Sequence, residues 1–125
     1  MRLLPLMLLL SGCAYNPPPG GNADDALARE LAGQTAGPAQ RCVPTISGSG
    51  LQVAGRQTLV YRQGATTWVS RLSEGCPGFQ PFDTLVVEVH SSQYCEKDRV
   101  RSVPPGGGIA GPTCLLGEFV PYRRP

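Results

Sequence analysis

The chain has 125 residues, a formal net charge of +2 and only 16% charged residues. One small domain fits that length, and so weak a positive charge excludes the clustered Lys and Arg of a nucleic-acid-binding face. Sixteen glycines, thirteen prolines and 41% hydrophobic residues point to a loop-rich globular fold rather than a disordered polyelectrolyte or a helical bundle.

Residues 3–10, Leu-Leu-Pro-Leu-Met-Leu-Leu-Leu, follow Met1 and Arg2. A bilayer-spanning helix takes about 20 apolar residues, so this short run fits instead the core of a secretory signal. Leu10-Ser11-Gly12-Cys13 looks like a bacterial lipobox, in which the cysteine thiol receives a diacylglycerol and becomes the first residue of the mature protein. The expectation is a signal peptide over 1–12 and lipidation at Cys13. Ala14, where an aspartate is absent, resembles the pattern sorted to the outer membrane of Gram-negative bacteria. Acyl chains contribute about 0.8 kcal/mol per buried methylene, enough for two or three of them to hold a protein on a membrane.

After Cys13 come three consecutive prolines, Pro17 to Pro19, which favour extended polyproline II and offer no backbone donors. Asn22 is placed to cap a short helix over 23–32, with Asp24 and Asp25 in its first turn and Gly33 past its end. Leu27 and Leu31 share a face, but so short a helix is marginal in water and must dock or fray. Taken with this helix, 13–40 reads as a lipidated, mostly flexible tether. A coil of that length reaches about 30 Å, and it leads into a β-domain over 41–125.

In that domain, 43–54 reads as a weak strand broken at Gly48-Ser49-Gly50. Residues 58–62 and 66–72 read as a hairpin around Gln63-Gly64-Ala65. Leu85, Val87 and Val89 alternate with Val86, Glu88 and His90 over 84–90, the period of a strand with one face buried. Segments 94–103 and 115–121 follow. The expected fold class is mainly β: a small antiparallel sheet or barrel of about six strands, a short N-terminal helix and two disulfides.

With Cys13 assigned to lipid, Cys42, Cys76, Cys95 and Cys114 remain, an even number that implies two bridges in an exported chain. No C-x-x-C pair exists for a zinc knuckle or a thioredoxin-type site, and neither metal nor cofactor is expected. On an up-and-down meander, Cys42 and Cys95 fall at one end of the strands, and Cys76 and Cys114 at the other. A seven-residue strand separates its ends by about 23 Å, whereas a disulfide needs Cα atoms within about 7 Å. The expected pairs are therefore Cys42–Cys95 and Cys76–Cys114.

Several pieces of the chain carry a further likeness: Leu31-Ala32-Gly33, the run from Gly37 to Val43, Cys76-Pro77-Gly78-Phe79, Tyr94-Cys95, Asp98-Arg99-Val100 and the run from Cys114 to Tyr122. Together they resemble a proteobacterial family of small exported proteins and lipoproteins of unknown function. That resemblance implies a shared fold and no activity.

His90, the only histidine, stands at a strand end beside Ser91 and Ser92. A nucleophilic triad needs Ser, His and a carboxylate converging in space. Adjacent strand residues face opposite sides, and nothing marks Ser92 as a nucleophile elbow, so a surface histidine is the plainer expectation. A glycosidase-like pair of Glu88 and Glu118 requires the last strand beside the fourth. Gly106-Gly107-Gly108 lacks the Lys-Ser or Lys-Thr of a P-loop and reads as a flexible connection. Trp68, with Tyr61 across the hairpin, forms an aromatic binding patch or, more commonly, core. Loops 47–50, 73–83 and 104–113 are where a partner is expected to dock.

The function expected is that of an envelope lipoprotein on the outer membrane, facing the periplasm, a non-enzymatic binding or structural module. Its partners would be the membrane, through the lipid, and an envelope protein or cell-wall glycan. The alternatives are a periplasmic inhibitor of a cell-wall lytic enzyme, by analogy with lysozyme inhibitors, and a hydrolase using His90.

Overall fold

A computed structural model describes residues 23–45 and 50–125. The expected signal peptide, the lipidation site Cys13 and the proline run lie outside the described residues, as do residues 46–49, which take in most of the expected loop 47–50. One helix, α1 (Ala23–Leu31), precedes ten strands: β1 (Thr35–Ala36), β2 (Cys42–Pro44), β3 (Gln52–Gly55), β4 (Thr58–Gln63), β5 (Thr66–Arg71), β6 (Thr84–Val87), β7 (Gln93–Cys95), β8 (Arg99–Val103), β9 (Cys114–Leu115) and β10 (Phe119–Arg123). They form three antiparallel sheets, ordered β1-β10-β5-β4-β3, β2-β7 and β6-β8-β9.

The expectation of a mainly β fold with a short helix and two disulfides holds, but the sheets are open and do not close into a barrel. Closure would bring edge strand β3 to edge strand β1, whereas α1 packs along β3. The remaining strands go to two smaller sheets on the opposite face instead.

The hairpin is the best-formed part. β4 and β5 pair from Thr58↔Arg71 to Gln63↔Thr66, and Gly64 takes a left-handed φ of 58° at the turn. Alternation then sends Leu59, Tyr61 and Trp68 to one face and Val60 and Val69 to the other. The first face meets Val43, Cys76, Phe79, Val100, Cys114, Leu116 and Phe119 in the main core. Each fully buried Leu, Val or Phe there is worth about 1.5–3 kcal/mol.

The second face is covered by α1, whose Leu27 and Leu31 pack with Val60, Val69, Ala54 and Tyr122. Docking is what makes so short a helix stable. Its last turn closes through the Ala32 N–H to Arg29 O and the Gln34 N–H to Leu31 O, and Gly33 follows with φ of 79°. β1 then pairs with β10, and the Gln40 and Phe119 backbones exchange hydrogen bonds. Residues 23–40 are thus built into the folded body, a correction to the expected flexible spacer; the reason is the apolar Leu27 and Leu31 stripe and the open edge of β10.

Three expected strands divide. Segment 43–54 becomes β2 and β3. Segment 94–103 breaks at Lys97, whose φ is 71°, and the buried Asp98 carboxylate accepts the Cys95 N–H at 2.8 Å to close that turn. Segment 115–121 breaks at Gly117, where the Gly117 N–H donates to Ser70 Oγ and the Ser70 hydroxyl donates to the Gly117 carbonyl. The fourth strand stops at Val87 rather than residue 90, and Ser91 beyond it is left-handed.

Candidate functional site

Both disulfides form as expected, with Cα atoms 4.0 Å apart in Cys42–Cys95 and 5.6 Å apart in Cys76–Cys114. The route to them is not one continuous meander. Cys42 and Cys95 are register partners of the β2–β7 ribbon, while Cys76 sits in the loop after β5 and reaches the start of β9.

Tyr61 and Trp68 are cross-strand partners, and both are buried in the main core. Tyr61 also meets Tyr94 edge-on, with ring centroids 5.6 Å apart. They hold the small β2–β7 sheet against the large one and present no aromatic patch to solvent.

His90 is exposed past the end of β6. Its side chain has no hydrogen bond or ion pair among the described residues, and the neighbouring Ser92 carbonyl accepts both the Thr45 N–H and the Thr45 hydroxyl. No triad is assembled around it. The strand adjacency that a Glu88 and Glu118 pair requires is also missing, because β6 pairs only with β8, whereas β10 lies between β1 and β5. Gly106, Gly107 and Gly108 all take positive φ, and the Gly107 N–H donates to Pro104 O. This run is a turn that only glycine makes easily.

Two surfaces stand out. The first is the three-stranded sheet. Val86 and Leu115 face outward on it, beside their cross-strand partners Arg101 and Arg99. Loops 73–83 and 104–113 flank the end where Thr84 pairs with Val103. Phe82 and Ile109 stand on these loops, 84% and 93% exposed.

The second is a groove of about 430 Å³ beside α1, lined by Leu27, Ala28, Leu31, Arg56, Gln57, Thr58 and Arg71. Arg56 and Gln57 form the β3–β4 turn, because Gly55 and Thr58 are register partners, and Arg71 faces Thr58 across the hairpin. Gln57 Nε2 is occupied by the Cys76 carbonyl at 2.6 Å, which fixes the turn over the buried bridge. Beyond Arg71 a second groove of about 270 Å³ runs over Val69, Val120 and Tyr122, bounded by Gly117 and Glu118.

Neither arginine was singled out by the sequence, where each reads as an ordinary solvated strand-end cation. The hairpin register and the helix that dock around them are long-range consequences of folding. No group of three or more His, Cys, Asp or Glu side chains that could hold a metal ion occurs among the described residues, and no helix there is long and apolar enough to cross a membrane. No protein-family model, curated protein or solved structure matches the chain.

Proposed function

We propose that this chain is an envelope lipoprotein, anchored through Cys13 and facing the periplasm, whose β-domain is a non-enzymatic module that docks an envelope protein. The observation that carries this reading is the exposure of Phe82 and Ile109 on loops of a body held by two disulfides. Large apolar side chains kept in water on a rigid scaffold cost solvation unless a partner covers them, and buried aromatic or aliphatic anchors supply most of the energy of a protein interface. Arg99 and Arg101 beside Val86 and Leu115 give the same surface a cationic, apolar character suited to an acidic partner. The lipobox and the even set of four remaining cysteines support the address.

The test is in two arms. A photo-crosslinking residue placed at 82 or 109 in the full-length protein gives a discrete adduct in intact cells, while the same residue at Ala26, exposed on the helix side of the fold, gives none. Equal ladders from all three positions overturn the docking surface. Cys13→Ala moves the protein from the detergent phase to the aqueous phase, and unchanged partitioning overturns the anchor.

A second reading draws on the loop 104–113, where a Pro-Pro-Gly-Gly-Gly run ends at the exposed Ile109. A projecting loop of this kind suits entry into the cleft of a wall-lytic enzyme. Added at micromolar concentration, the protein then slows a muramidase, and undiminished lysis removes the inhibitor reading.

A further inference from the structure

The groove beside α1 has a composition that the docking surface does not use. Its lining contains two guanidinium groups, Arg56 and Arg71, and no carboxylate. Two cations with no acid beside them give the groove a positive potential that favours an anion. Arg71 makes no side-chain hydrogen bond or ion pair among the described residues. Among the described residues Arg56 uses Nε alone, on the Pro77 carbonyl at 3.3 Å, which leaves its terminal nitrogens as donors there.

The backbones that carry both arginines are held firmly. Gly78 sits against the Arg56 carbonyl and Gly117 against the Arg71 carbonyl, each so closely that a Cβ there would collide with it. The opposite wall is aliphatic, made by Leu27, Ala28 and Leu31. The trough continues past Arg71 over Val69, Val120 and Tyr122. Glu118 bounds only that second stretch, so charge favours an anion at the Arg56 end and an uncharged body beyond it.

We propose that this groove binds an anionic amphiphile: a compact oxyanion, phosphate or carboxylate, carried on an aliphatic chain. The guanidinium fork matches both oxyanions in a bidentate way, and the volume is that of an ordinary small-molecule site. The helix wall and the Val69, Val120 and Tyr122 floor take the chain. The proposal goes beyond the docking surface and stands independently of it, since the groove lies on the helix side of the five-stranded sheet.

The experiment uses the full chain with both disulfides intact. Octyl phosphate and octanoate, kept below their micelle concentrations, are titrated while backbone amide resonances are followed, with octanol and inorganic phosphate as comparison probes. Both anionic amphiphiles are expected to saturate, moving the amides of Leu27, Leu31, Thr58 and Arg71. Arg71→Ala and Arg56→Ala are each expected to weaken binding about tenfold or more, the worth of one charge-assisted hydrogen bond, and Arg71→Lys to weaken it less. Three outcomes overturn the proposal: octanol binding as tightly as octyl phosphate, inorganic phosphate binding as tightly, or affinity unchanged in the folded alanine variants. Equal binding by inorganic phosphate identifies a free oxyanion as the ligand rather than an amphiphile.

Discussion

Cys76–Cys114 and Cys42–Cys95 do similar topological work in very different surroundings. The two bridges close separations of 38 and 53 residues, and loop closure of either length is worth about 4 kcal/mol. Chain entropy therefore does not distinguish them, and the native environment must. Cys76 and Cys114 are 5% and 3% exposed inside the main core, while Cys42 and Cys95 are half-buried on a ribbon of three residue pairs. Around the buried bridge the chain is clamped: Gln57 binds the Cys76 carbonyl, Ser73 and Leu115 bond each other, and Ser70 grips Gly117. Around the half-buried bridge the main ties are the ribbon ladder, the Glu96 N–H to Arg41 O and the Asp98 turn. The lesson is that one bridge lies inside the core, while the other lies at the margin of a short ribbon that reaches the core through Val43 and Tyr94.

The largest effect is expected on removing the buried bridge. Cys76→Ala with Cys114→Ala loses about 4 kcal/mol of closure entropy and roughly a further 1–2 kcal/mol for two vacated core sites. Against a total stability of about 5–15 kcal/mol for a domain of this kind, this removes roughly a third or more of the total and gives the lower urea midpoint of the two double variants. Urea unfolding followed by circular dichroism measures this. A midpoint equal to that of the other double variant breaks the comparison.

Cys42→Ala with Cys95→Ala is expected to cost less, at most about 4 kcal/mol, and to leave a cooperative transition with the hairpin and α1 intact. Thiol-disulfide exchange needs a thiolate to reach a sulfur atom. With limiting reductant, Cys42 and Cys95 should therefore be alkylated before Cys76 and Cys114, as read by peptide mass. The reverse order would mean that exposure does not govern access here.

The bridges were also where the sequence was most informative, and the reason is physical. Four cysteines, alternating strands and the length of a strand constrain which thiols can meet, and those constraints survive errors in the topology. The pairs came out as expected although the meander did not. The hairpin and the short helix were legible for the same reason, since period, turn glycine and capping residues act within a few positions. What was hidden depends on distant partners. β1 is two residues long and exists only because β10 offers an edge. The breaks at Lys97 and Gly117 are set by Asp98 and by Ser70, the second 47 residues away. Arg56 and Arg71 acquire a common groove only through the register Thr58↔Arg71 and the seat of α1. Trp68 and Tyr61 were legible as a pair, but only the packing of a second sheet makes them core.

Two glycines sharpen the difference between the regions. Gly75 and Gly78 flank the same loop with φ of 80° and 90°, yet open space surrounds a Cβ at Gly75 while one at Gly78 runs into the Arg56 carbonyl. Gly75→Ala should cost about 1–2 kcal/mol, the left-handed penalty alone. Gly78→Ala adds an overpacking cost of roughly 1–3 kcal/mol. Thermal midpoints of the two variants isolate the clash by difference. Equal midpoints would mean that the loop near Cys76 yields, and that the clamped region is softer than its contacts imply.

The smallest expected effect concerns α1, which no disulfide holds. Arg62 on β4 grips Glu30 in a two-pronged contact, Nε to Oε1 at 2.8 Å and Nη2 to Oε2 at 2.7 Å. The hydrogen bonds from Arg62, helped by its charge, hold the Glu30 carboxyl below its ordinary pKa against the opposing effect of partial burial. A carboxyl depressed in the folded state stabilises that state above its unfolded pKa, and the contribution is lost as pH falls through the lower folded value. Both side chains are over a third exposed, at 35% and 40%, so solvent limits the gain to about 0.2–1 kcal/mol. Glu30→Gln should lower stability by that amount at neutral pH, and the gap to wild type should close on acidification. Because the pair fastens only the helix, the extra amide exchange in the variant should appear in α1 and not in the β2–β7 ribbon. Exchange that rises equally in both would mean that helix and ribbon open as one unit, and that the half-buried disulfide sets the ribbon apart less than its surroundings suggest.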